Sequence, residues 1–168
     1  MPQAFDLKTI RTKALDEISR LIERHPDITP MLFGPGECLV QEGDASQEVY
    51  VVLAGEYVVE QKPMFPDAPP SVLAKVSCGP ENLAIIGEMA YLGGGQRRTA
   101  SVKAIGNLQV LRLQPGHLDS IIESCPTLTR VLCLQFAGRI RQMNEIIRQM
   151  EGADFVLDTQ NQKGNLRR

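Results

Sequence analysis

The residues best suited to ligand chemistry lie close together near the middle of the chain. They are a Gly-Glu pair at Gly87-Glu88, a glycine triplet at Gly93–Gly95 and an Arg-Thr-Ala run at Arg98–Ala100. An arginine offers a planar fork of N–H donors that matches a phosphate at two points. Glycines let the backbone turn without steric cost, and a short helix over Glu88–Leu92 would present free N–H groups at its start. The segment therefore predicts a site for a small anion.

Glu88 is the exception in this segment, because a carboxylate repels a phosphate. It fits the same site only if the ligand also carries a hydroxyl group that needs an acceptor. A ligand with both a phosphate and a sugar hydroxyl is a nucleotide, and this is the ligand class that the residues predict. The alternative is that Glu88 only stabilises the start of the short helix through the helix dipole.

The three motifs resemble the phosphate-binding cassette of cyclic nucleotide-binding domains, the family that includes the bacterial catabolite activator protein and the regulatory subunits of protein kinase A. The cassette of that family reads Gly-Glu, an apolar residue, Ala or Gly, and Leu, followed by a spacer and Arg-Thr/Ser/Ala-Ala. Tyr91 stands where Leu is usual and is the one mild departure. The resemblance extends over about Leu32–Met150, and it places Gly36, Gly43 and Gly55 at turns between the opening strands.

The resemblance implies a role for individual side chains. Arg98 would bind the phosphate, Glu88 the ribose 2′-hydroxyl, and Thr99 both the phosphate and the base. The implied ligand-binding site consists of cassette residues and one residue of the last helix: Gly87, Glu88, Met89, Ala90, Arg98, Thr99, Ala100 and Asn144. The alternatives are a surface arginine at Arg98 and an ordinary strand threonine at Thr99. We expect Arg98 to begin an inward-facing barrel strand.

Asn144 enters this set by its position on the long C-terminal helix. Met143 and Asn144 fall where the catabolite activator protein contacts adenine, counted from the helix break at Pro126. An amide presents a donor and an acceptor together, which suits the N6 amine and a ring nitrogen of adenine. The alternative for Asn144 is a solvated amide on an exposed helix face.

The spacing of apolar residues predicts the elements around the cassette. Between Phe5 and Arg24 apolar residues recur at three and four, which is typical of an amphipathic helix. From Met31 to about Leu113 short β-branched and aromatic runs alternate with Gly and Pro, which favours a closed double-sheet barrel. We therefore expect an α+β fold that is mainly β, a jelly-roll-like barrel of about eight strands with N-terminal and C-terminal helices. The proline-rich segment Lys62–Pro70 is predicted to be a hairpin loop.

Within this fold, strands are predicted at Val49–Leu53, Tyr57–Val59 and Val110–Leu113, and helices at Pro115–Ser124 and Leu128–Met150. The longer helix carries an apolar seam that repeats at fours and threes: Leu132, Phe136, Ile140, Met143, Ile147 and Met150. A seam of this kind can pair with a second helix, which predicts a homodimer. The alternative is that the seam packs on its own barrel or on the first helix.

The chain is predicted to divide into a helical segment over residues 1–30, a binding domain over residues 31–150 that includes the long helix, and a flexible tail over residues 151–168. Only 18 residues follow Met150. They are too few for the helix-turn-helix that follows the long helix of the catabolite activator protein, so we expect no DNA binding by that route.

Net charge, apolar runs and the histidine and cysteine residues further narrow the class of protein that the sequence predicts. The net charge of −2 argues against nonspecific binding to nucleic acid. Because no apolar run resembles a signal peptide or a membrane span, we expect a cytoplasmic protein without membrane contact. His25 and His117 are interpreted as surface or loop residues. The four cysteines show no metal-ligand spacing and are predicted to be buried reduced thiols: Cys38, Cys78, Cys125 and Cys133.

No Walker lysine motif, paired metal-binding carboxylates or Ser-His-Asp arrangement is recognisable, so we expect no enzymatic activity, no metal and no cofactor. The resemblance implies a stand-alone sensor of cyclic AMP or cyclic GMP, with cyclic AMP favoured, that moves its C-terminal helices to signal to an unidentified protein partner. Two alternatives remain, a degenerate fold that acts as a ligand-free interaction scaffold and a sensor of another nucleotide such as cyclic di-GMP. The intact set of Gly87, Glu88, Arg98 and Thr99 argues against the scaffold.

Overall fold

The computed structural model describes residues 7–165 apart from residues 64, 66 and 81, and it describes side chains between residues 13 and 150. The elements in chain order are α1 (Leu7–Arg24), β1 (Thr29–Phe33), β2 (Cys38–Val40), β3 (Val49–Gln61), β4 (Ser71–Cys78), β5 (Ala84–Ile86), α2 (Glu88–Leu92), β6 (Ser101–Ala104), β7 (Leu108–Leu113), α3 (Pro115–Ser124) and α4 (Pro126–Asn165). The chain forms two compact units, Met1–Leu132 and Cys133–Arg168, so that α4 begins in the first unit and continues in the second.

The strand β3 organises the sheet, since it pairs with four other strands and all of these pairs are antiparallel. Its first half pairs with β5 and β7, and its second half pairs with β4 and β6. The strands β1 and β2 extend the sheet beyond β7 and β6. The result is a curled antiparallel half-barrel with an N-terminal helix and C-terminal helices, which confirms the predicted fold class. The described residues contain seven strands rather than about eight.

The apolar alternation of the strands places one set of side chains inside the curled sheet, because successive residues of a strand point to opposite faces. This inner core consists of Leu39, Val40, Tyr50, Val52, Tyr57, Cys78, Ala84, Ile86, Val102, Ala104, Leu108 and Val110. On the other face of β3, Val49 and Val51 are also fully buried, as are Leu118 and Ile121 of α3 and Leu128 at the start of α4. Among these helices, α3 contacts the sheet at β7.

Gly55 has a different role from the one expected. The sequence predicted a turn there between two separate strands, whereas the structure has one continuous strand, β3, that passes through it. Gly55 has a φ of 110°, and a Cβ atom at this position would lie 2.3 Å from the carbonyl oxygen of Asn107. The glycine is therefore required for the close approach of two backbone segments, while Gly36 and Gly43 do lie in turns as predicted.

Of the two helices after the barrel, α3 agrees with the prediction, whereas α4 differs at both ends from the predicted Leu128–Met150. The helix α3 spans the predicted residues Pro115–Ser124. The helix α4 begins at Pro126 itself, because proline is tolerated in the first turn of a helix, where its missing N–H is not needed. Its backbone stays helical through Asn165, whereas the sequence predicted that the helix would end at Met150.

A carboxylate of α1 fixes the start of α4. Glu17 is buried, and its side-chain oxygens accept hydrogen bonds from the backbone N–H groups of Thr127 and Leu128 at 3.0 Å. These N–H groups lie in the first turn of a helix and have no partner within it. The negative charge also suits the positive end of the helix dipole. The first helix and the start of the last helix are therefore joined within the first compact unit.

The remaining predictions on loops and thiols have mixed outcomes. The proline-rich segment Lys62–Pro70 connects β3 to β4, as predicted for a hairpin loop. Cys78 and Cys125 are buried, and burial raises the pKa of the Cys78 thiol to about 11. Cys38 and Cys133 are exposed, so the expectation of four buried thiols is wrong for these two.

Among the helices in the described part of the chain, none combines the length and apolar character needed to cross a membrane.

Candidate functional site: a buried arginine in the glycine-rich cassette

The cassette backbone runs from the end of β5 to the start of β6 and turns sharply at its glycines. Gly87 follows β5 directly and has a φ of 88°, in the left-handed region that side chains disfavour. The helix α2 then occupies the predicted residues Glu88–Leu92. Two bonds to the carbonyl oxygen of Ala90, donated by the N–H groups of Gly95 and Gln96 at 3.0 Å, close the turn that follows. The chain thus returns compactly toward Arg98.

The Arg98 side chain is buried at 4% exposure and is held on three sides by the protein. Its Nε donates to Ser46 Oγ at 3.1 Å, its Nη1 to the carbonyl oxygen of Gly87 at 2.9 Å, and its Nη2 to the carbonyl oxygen of Glu48 at 2.7 Å. The backbone of Arg98 is also paired, since its N–H donates to Asp44 at 2.9 Å and its carbonyl oxygen accepts from Gly43 at 2.9 Å. The guanidinium is therefore fixed between the cassette and the loop before β3.

The electrostatics of Arg98 are those of a cation that has been partly removed from water. Burial is the largest effect and lowers the pKa of the guanidinium, while nearby Tyr50, Glu48 and Glu88 act in the opposite direction. The carboxylate of Glu48 lies 4.0 Å from Nη2. Because an arginine stays protonated in proteins, the group retains its positive charge despite burial. A buried cation of this kind favours an anionic ligand, since its field is weakly screened.

The donor count of Arg98 leaves capacity for a ligand. A guanidinium has five N–H donors, and among the described residues Arg98 uses one donor on each of its three nitrogens. Within the part of the chain that the structure describes, one N–H on each terminal nitrogen therefore has no hydrogen bond. Two parallel N–H groups match two oxygens of a phosphate, which is the two-point geometry that arginine provides and lysine does not.

The predicted site residues on the cassette differ in how far their side chains are exposed to solvent. Glu88 is 1% exposed and is close enough to Arg98 to affect its pKa. Ala90 is buried, while Met89 on the same turn is 46% exposed. Thr99 is exposed and Ala100 is half-buried. The expectation that Arg98 begins a strand is wrong, because β6 begins at Ser101 and the Arg-Thr-Ala run precedes it.

Asn144 lies on α4 in the second compact unit, where its side chain is exposed. The structure joins Gly87 and Arg98 by a hydrogen bond. The other predicted cassette residues are sequence neighbours of these two: Glu88, Met89 and Ala90 follow Gly87, and Thr99 and Ala100 follow Arg98. The contact of Asn144 with a base stays a prediction.

Sequence reasoning missed the residues that hold Arg98 in place. Ser46 and Glu48 lie about fifty residues before Arg98 in the chain, in the loop that leads into β3. Gln47 between them also reaches the cassette, since its Nε2 donates to the carbonyl oxygen of Gln96 at 3.2 Å. Two of these contacts with the cassette use a backbone carbonyl oxygen as acceptor, on Glu48 and on Gln96, and every residue type has such an oxygen. The third of these contacts uses the Ser46 hydroxyl as its acceptor, and a single serine in a loop carries no signal of its own.

A second polar cluster lies where α1, β1 and α3 meet, at His25, Asp27 and His117. One possible ligand atom from each of these residues falls within 4.8 Å of the others. The Nδ1 of His117 accepts a hydrogen bond from the N–H of Gln114 at 3.1 Å, so the proton of the neutral ring is on Nε2, facing the carboxylate of Asp27 at 3.2 Å. A metal would need that Nε2 lone pair, and the cluster therefore suits a hydrogen-bonded anchor better than a metal ion. His117 is also buried, so its interpretation as a surface residue is wrong.

Known proteins share this arrangement of sequence and fold. The family model described as the cyclic nucleotide-binding domain matches residues 30–125, more than half of the chain. The chain is 33% identical over 104 residues to the cyclic nucleotide-gated channel beta-3 of Homo sapiens. That alignment covers 61% of this chain but 12% of the channel, so the chain corresponds to a small part of that protein.

Solved structures with the same fold are more distant in sequence. The catabolite activator protein of Thermus thermophilus aligns with a TM-score of 0.64 at 20% identity, over 81% of this chain and 59% of that chain. The c-di-GMP responsive global regulator CLP of Xanthomonas campestris aligns with a TM-score of 0.59 at 16% identity, over 73% of this chain and 59% of that chain. At these identities the similarity is one of fold.

Proposed function

The chain belongs to the cyclic nucleotide-binding domain family, and on this premise we propose that it is a sensor for a 3′,5′-cyclic mononucleotide, with cyclic AMP favoured over cyclic GMP. The observation that carries the proposal is the buried guanidinium of Arg98, which is fixed by Gly87 and Glu48 and, counting the described residues, uses only one N–H donor on each terminal nitrogen. The preference for cyclic AMP rests on Asn144, whose amide matches the donor and acceptor pattern of adenine.

In this proposal each cassette residue contacts a different part of the ligand. Arg98 binds the cyclic phosphate at two points, and Glu88 accepts a hydrogen bond from the ribose 2′-hydroxyl. Met89 and Ala90 contribute the first N–H groups of α2, and Thr99 and Ala100 line the phosphate and the base. The burial of both Glu88 and Arg98 supports this division, because a buried carboxylate beside a buried cation suits a ligand with a donor and an anion side by side.

The proposed output is a movement of the C-terminal helices when the ligand draws the cassette inward. The chain then acts through a protein partner or through self-association, without catalysis and without binding DNA or a membrane. This role needs no metal and no cofactor besides the nucleotide.

The binding proposal predicts a heat signal in calorimetry with cyclic AMP on protein freed of carried-over ligand. Cyclic AMP is expected to raise the melting temperature most, cyclic GMP less and cyclic di-GMP least, because a ligand that binds only the folded state stabilises it. If only cyclic di-GMP raises the melting temperature, the protein is a sensor of that dinucleotide and the mononucleotide proposal is wrong. No response to any of the three would favour a ligand-free scaffold.

The role of Glu88 predicts that 2′-deoxy cyclic AMP binds more weakly than cyclic AMP by about 1.5–3 kcal/mol, the range for a hydrogen bond to a charged group. In a Glu88→Gln variant the two ligands should differ by less, since the charged acceptor is gone. Calorimetry with both ligands on both proteins gives the four affinities needed. Equal affinities in the parent protein would leave Glu88 with a structural role only.

The self-association proposal rests on the exposed part of the apolar seam on α4. Leu132 is buried and Phe136 is half-buried, whereas Ile140, Met143 and Met150 are each at least 58% exposed. A run of large exposed apolar side chains on one helix face is typical of an interaction surface. Two copies of the helix can cover this face symmetrically.

A homodimer predicts that light scattering gives twice the mass of the chain, and that Ile140→Asp gives the mass of one chain, because a charge cannot be buried unpaired in the seam. Gln142→Asp adds the same charge off the seam and should leave the dimer intact. A monomer mass for the parent protein, with and without nucleotide, would contradict the prediction.

A further inference from the structure

The residue that departs from the family pattern of the cassette, Tyr91, makes a contact that the family pattern does not predict. Its hydroxyl donates a hydrogen bond of 2.5 Å to Oδ2 of Asp119 on α3, 28 residues away in the chain. This distance is within the range of short hydrogen bonds from a hydroxyl to a carboxylate. The bond raises the pKa of the Tyr91 phenol. It joins the cassette helix directly to the first helix after the barrel.

The two helices border an open groove of about 520 Å³, which is lined by Gln47, Tyr91, Leu92, Gly94, Gly95, Pro115 and Asp119. Leu92, which follows Tyr91 in α2, is 44% exposed. The end of α2 therefore leaves apolar surface in solvent. Its contact with α3 is the polar pair of Tyr91 and Asp119, which lies beside this groove. The negative charge of Asp119 also contributes to the raised pKa of the Tyr91 phenol.

The helix α3 is firmly anchored on the barrel. Leu118 and Ile121 are fully buried on either side of Asp119. His117, which precedes them, accepts a hydrogen bond from Gln114 through Nδ1 and pairs with Asp27 through Nε2. Asp119 is thus presented on a rigid element.

The helix α2 is, in contrast, a weak element by itself. It has five residues and is bounded by glycine at both ends, at Gly87 and Gly93. A helix of this length has few internal hydrogen bonds, so its position depends on contacts outside it. Its N-terminal end carries the Gly87 carbonyl oxygen that Arg98 binds, and Glu88 follows immediately. A constraint at Tyr91 therefore acts on the whole anion site through one turn of helix.

We propose that the hydrogen bond between Tyr91 and Asp119 positions the cassette helix for nucleotide binding, with Tyr91 and Asp119 as positioning residues that do not contact the ligand. The inference rests on the proposed function, since it concerns affinity for the cyclic nucleotide. The pair fastens a short, glycine-bounded helix to an anchored one. It therefore keeps Gly87 and Glu88 beside Arg98 before the ligand arrives, which lowers the cost of ordering the site on binding.

The test measures the affinity for cyclic AMP by calorimetry in Tyr91→Phe, in Asp119→Ala, which leaves no acceptor for the hydroxyl, and in the double variant. Each single change is expected to weaken binding about 3- to 10-fold, which corresponds to the net value of one hydrogen bond. The double variant should be no weaker than the weaker single variant, because both changes remove the same bond. Glu123→Gln removes a charge from the exposed side of the same helix and should leave the affinity unchanged.

A second readout separates positioning from a merely structural role. If the bond favours nucleotide binding, then binding must favour the bond to the same extent, since coupling is reciprocal. Saturating cyclic AMP should therefore raise the pKa of Tyr91 further, as followed by NMR of the ring carbon that bears the hydroxyl. The chain has three tyrosines, and the Tyr91 signal is identified by its absence in Tyr91→Phe.

The outcomes distinguish this inference from the proposed function. A parent protein that does not bind cyclic AMP overturns both. A parent that binds, with variants of equal or higher affinity, or with losses that add in the double variant, overturns the positioning role alone. A weaker variant whose parent shows no ligand-dependent change in the Tyr91 pKa also overturns it, because the pair then only supports the fold.

Discussion

Replacing Arg98 by Ala is expected to weaken the binding of cyclic AMP more than any other single change in the cassette. Removal of one partner of a buried, charged pair costs about 2–5 kcal/mol, which corresponds to roughly a 30- to 4000-fold increase in Kd. The loss affects the free protein as well, because the carbonyl oxygens of Gly87 and Glu48 lose their shared donor in a buried place. Calorimetry gives the affinity, and urea unfolding gives the change in stability.

Two further variants make the Arg98 result interpretable. Arg98→Lys keeps the charge and most of the volume but cannot bind two phosphate oxygens in parallel, so we expect a folded protein with weak binding. Arg97→Ala removes the neighbouring exposed arginine, which donates a hydrogen bond to the carbonyl oxygen of Gly43 at 2.8 Å. It should bind nearly as well as the parent. Binding by Arg98→Ala at the affinity of the parent would show that the phosphate lies elsewhere.

Replacing Gly87 by Ala is expected to damage both the fold and the site. The residue has a φ of 88°, and an added Cβ would lie 2.5 Å from Nη1 of Arg98 and 2.7 Å from the carbonyl oxygen of Glu48. The left-handed backbone costs about 1–2 kcal/mol for a residue with a Cβ, and crowding adds about 1–3 kcal/mol. Part of the crowding cannot relax by a side-chain movement, since the Glu48 oxygen belongs to the backbone. We therefore expect a lower free energy of unfolding and a displaced Arg98 that binds cyclic AMP poorly.

Gly94→Ala is the matched control for this prediction. Gly94 lies in the same cassette with a φ of 79°, but an added Cβ there would have none of the described residues within 4 Å apart from its own chain neighbours. It should carry the backbone cost alone, about 1–2 kcal/mol, with little effect on affinity relative to Gly87→Ala. Equal losses of affinity in the two variants would contradict the prediction, because the Cβ atom at residue 87 would then have no specific effect on the binding role of Arg98.

The order and type of the elements could be predicted from the sequence because local signals mark their ends. Glycine and proline delimit α2 and α3, and the structure has both helices at the predicted residues. The division of β3 into two strands was wrong, because Gly55 is a local turn signal whose actual role is set by the backbone of Asn107 across the sheet. The helical state of α4 beyond Met150 was also missed, since the apolar repeat at fours and threes ends at that residue.

What the sequence determined about this protein is the chemistry of its cassette. The residue types at Gly87, Glu88 and Arg98, with their spacing, were enough to predict an anion site beside a hydroxyl acceptor, because charge and donor geometry are properties of single side chains. Only the tertiary structure decided how that chemistry is held. The partners of Arg98 come from a loop about fifty residues earlier, and Tyr91 reaches Asp119 across 28 residues. Such contacts depend on which distant segments the curled sheet brings together. The spacing of neighbouring residues in the sequence does not indicate this.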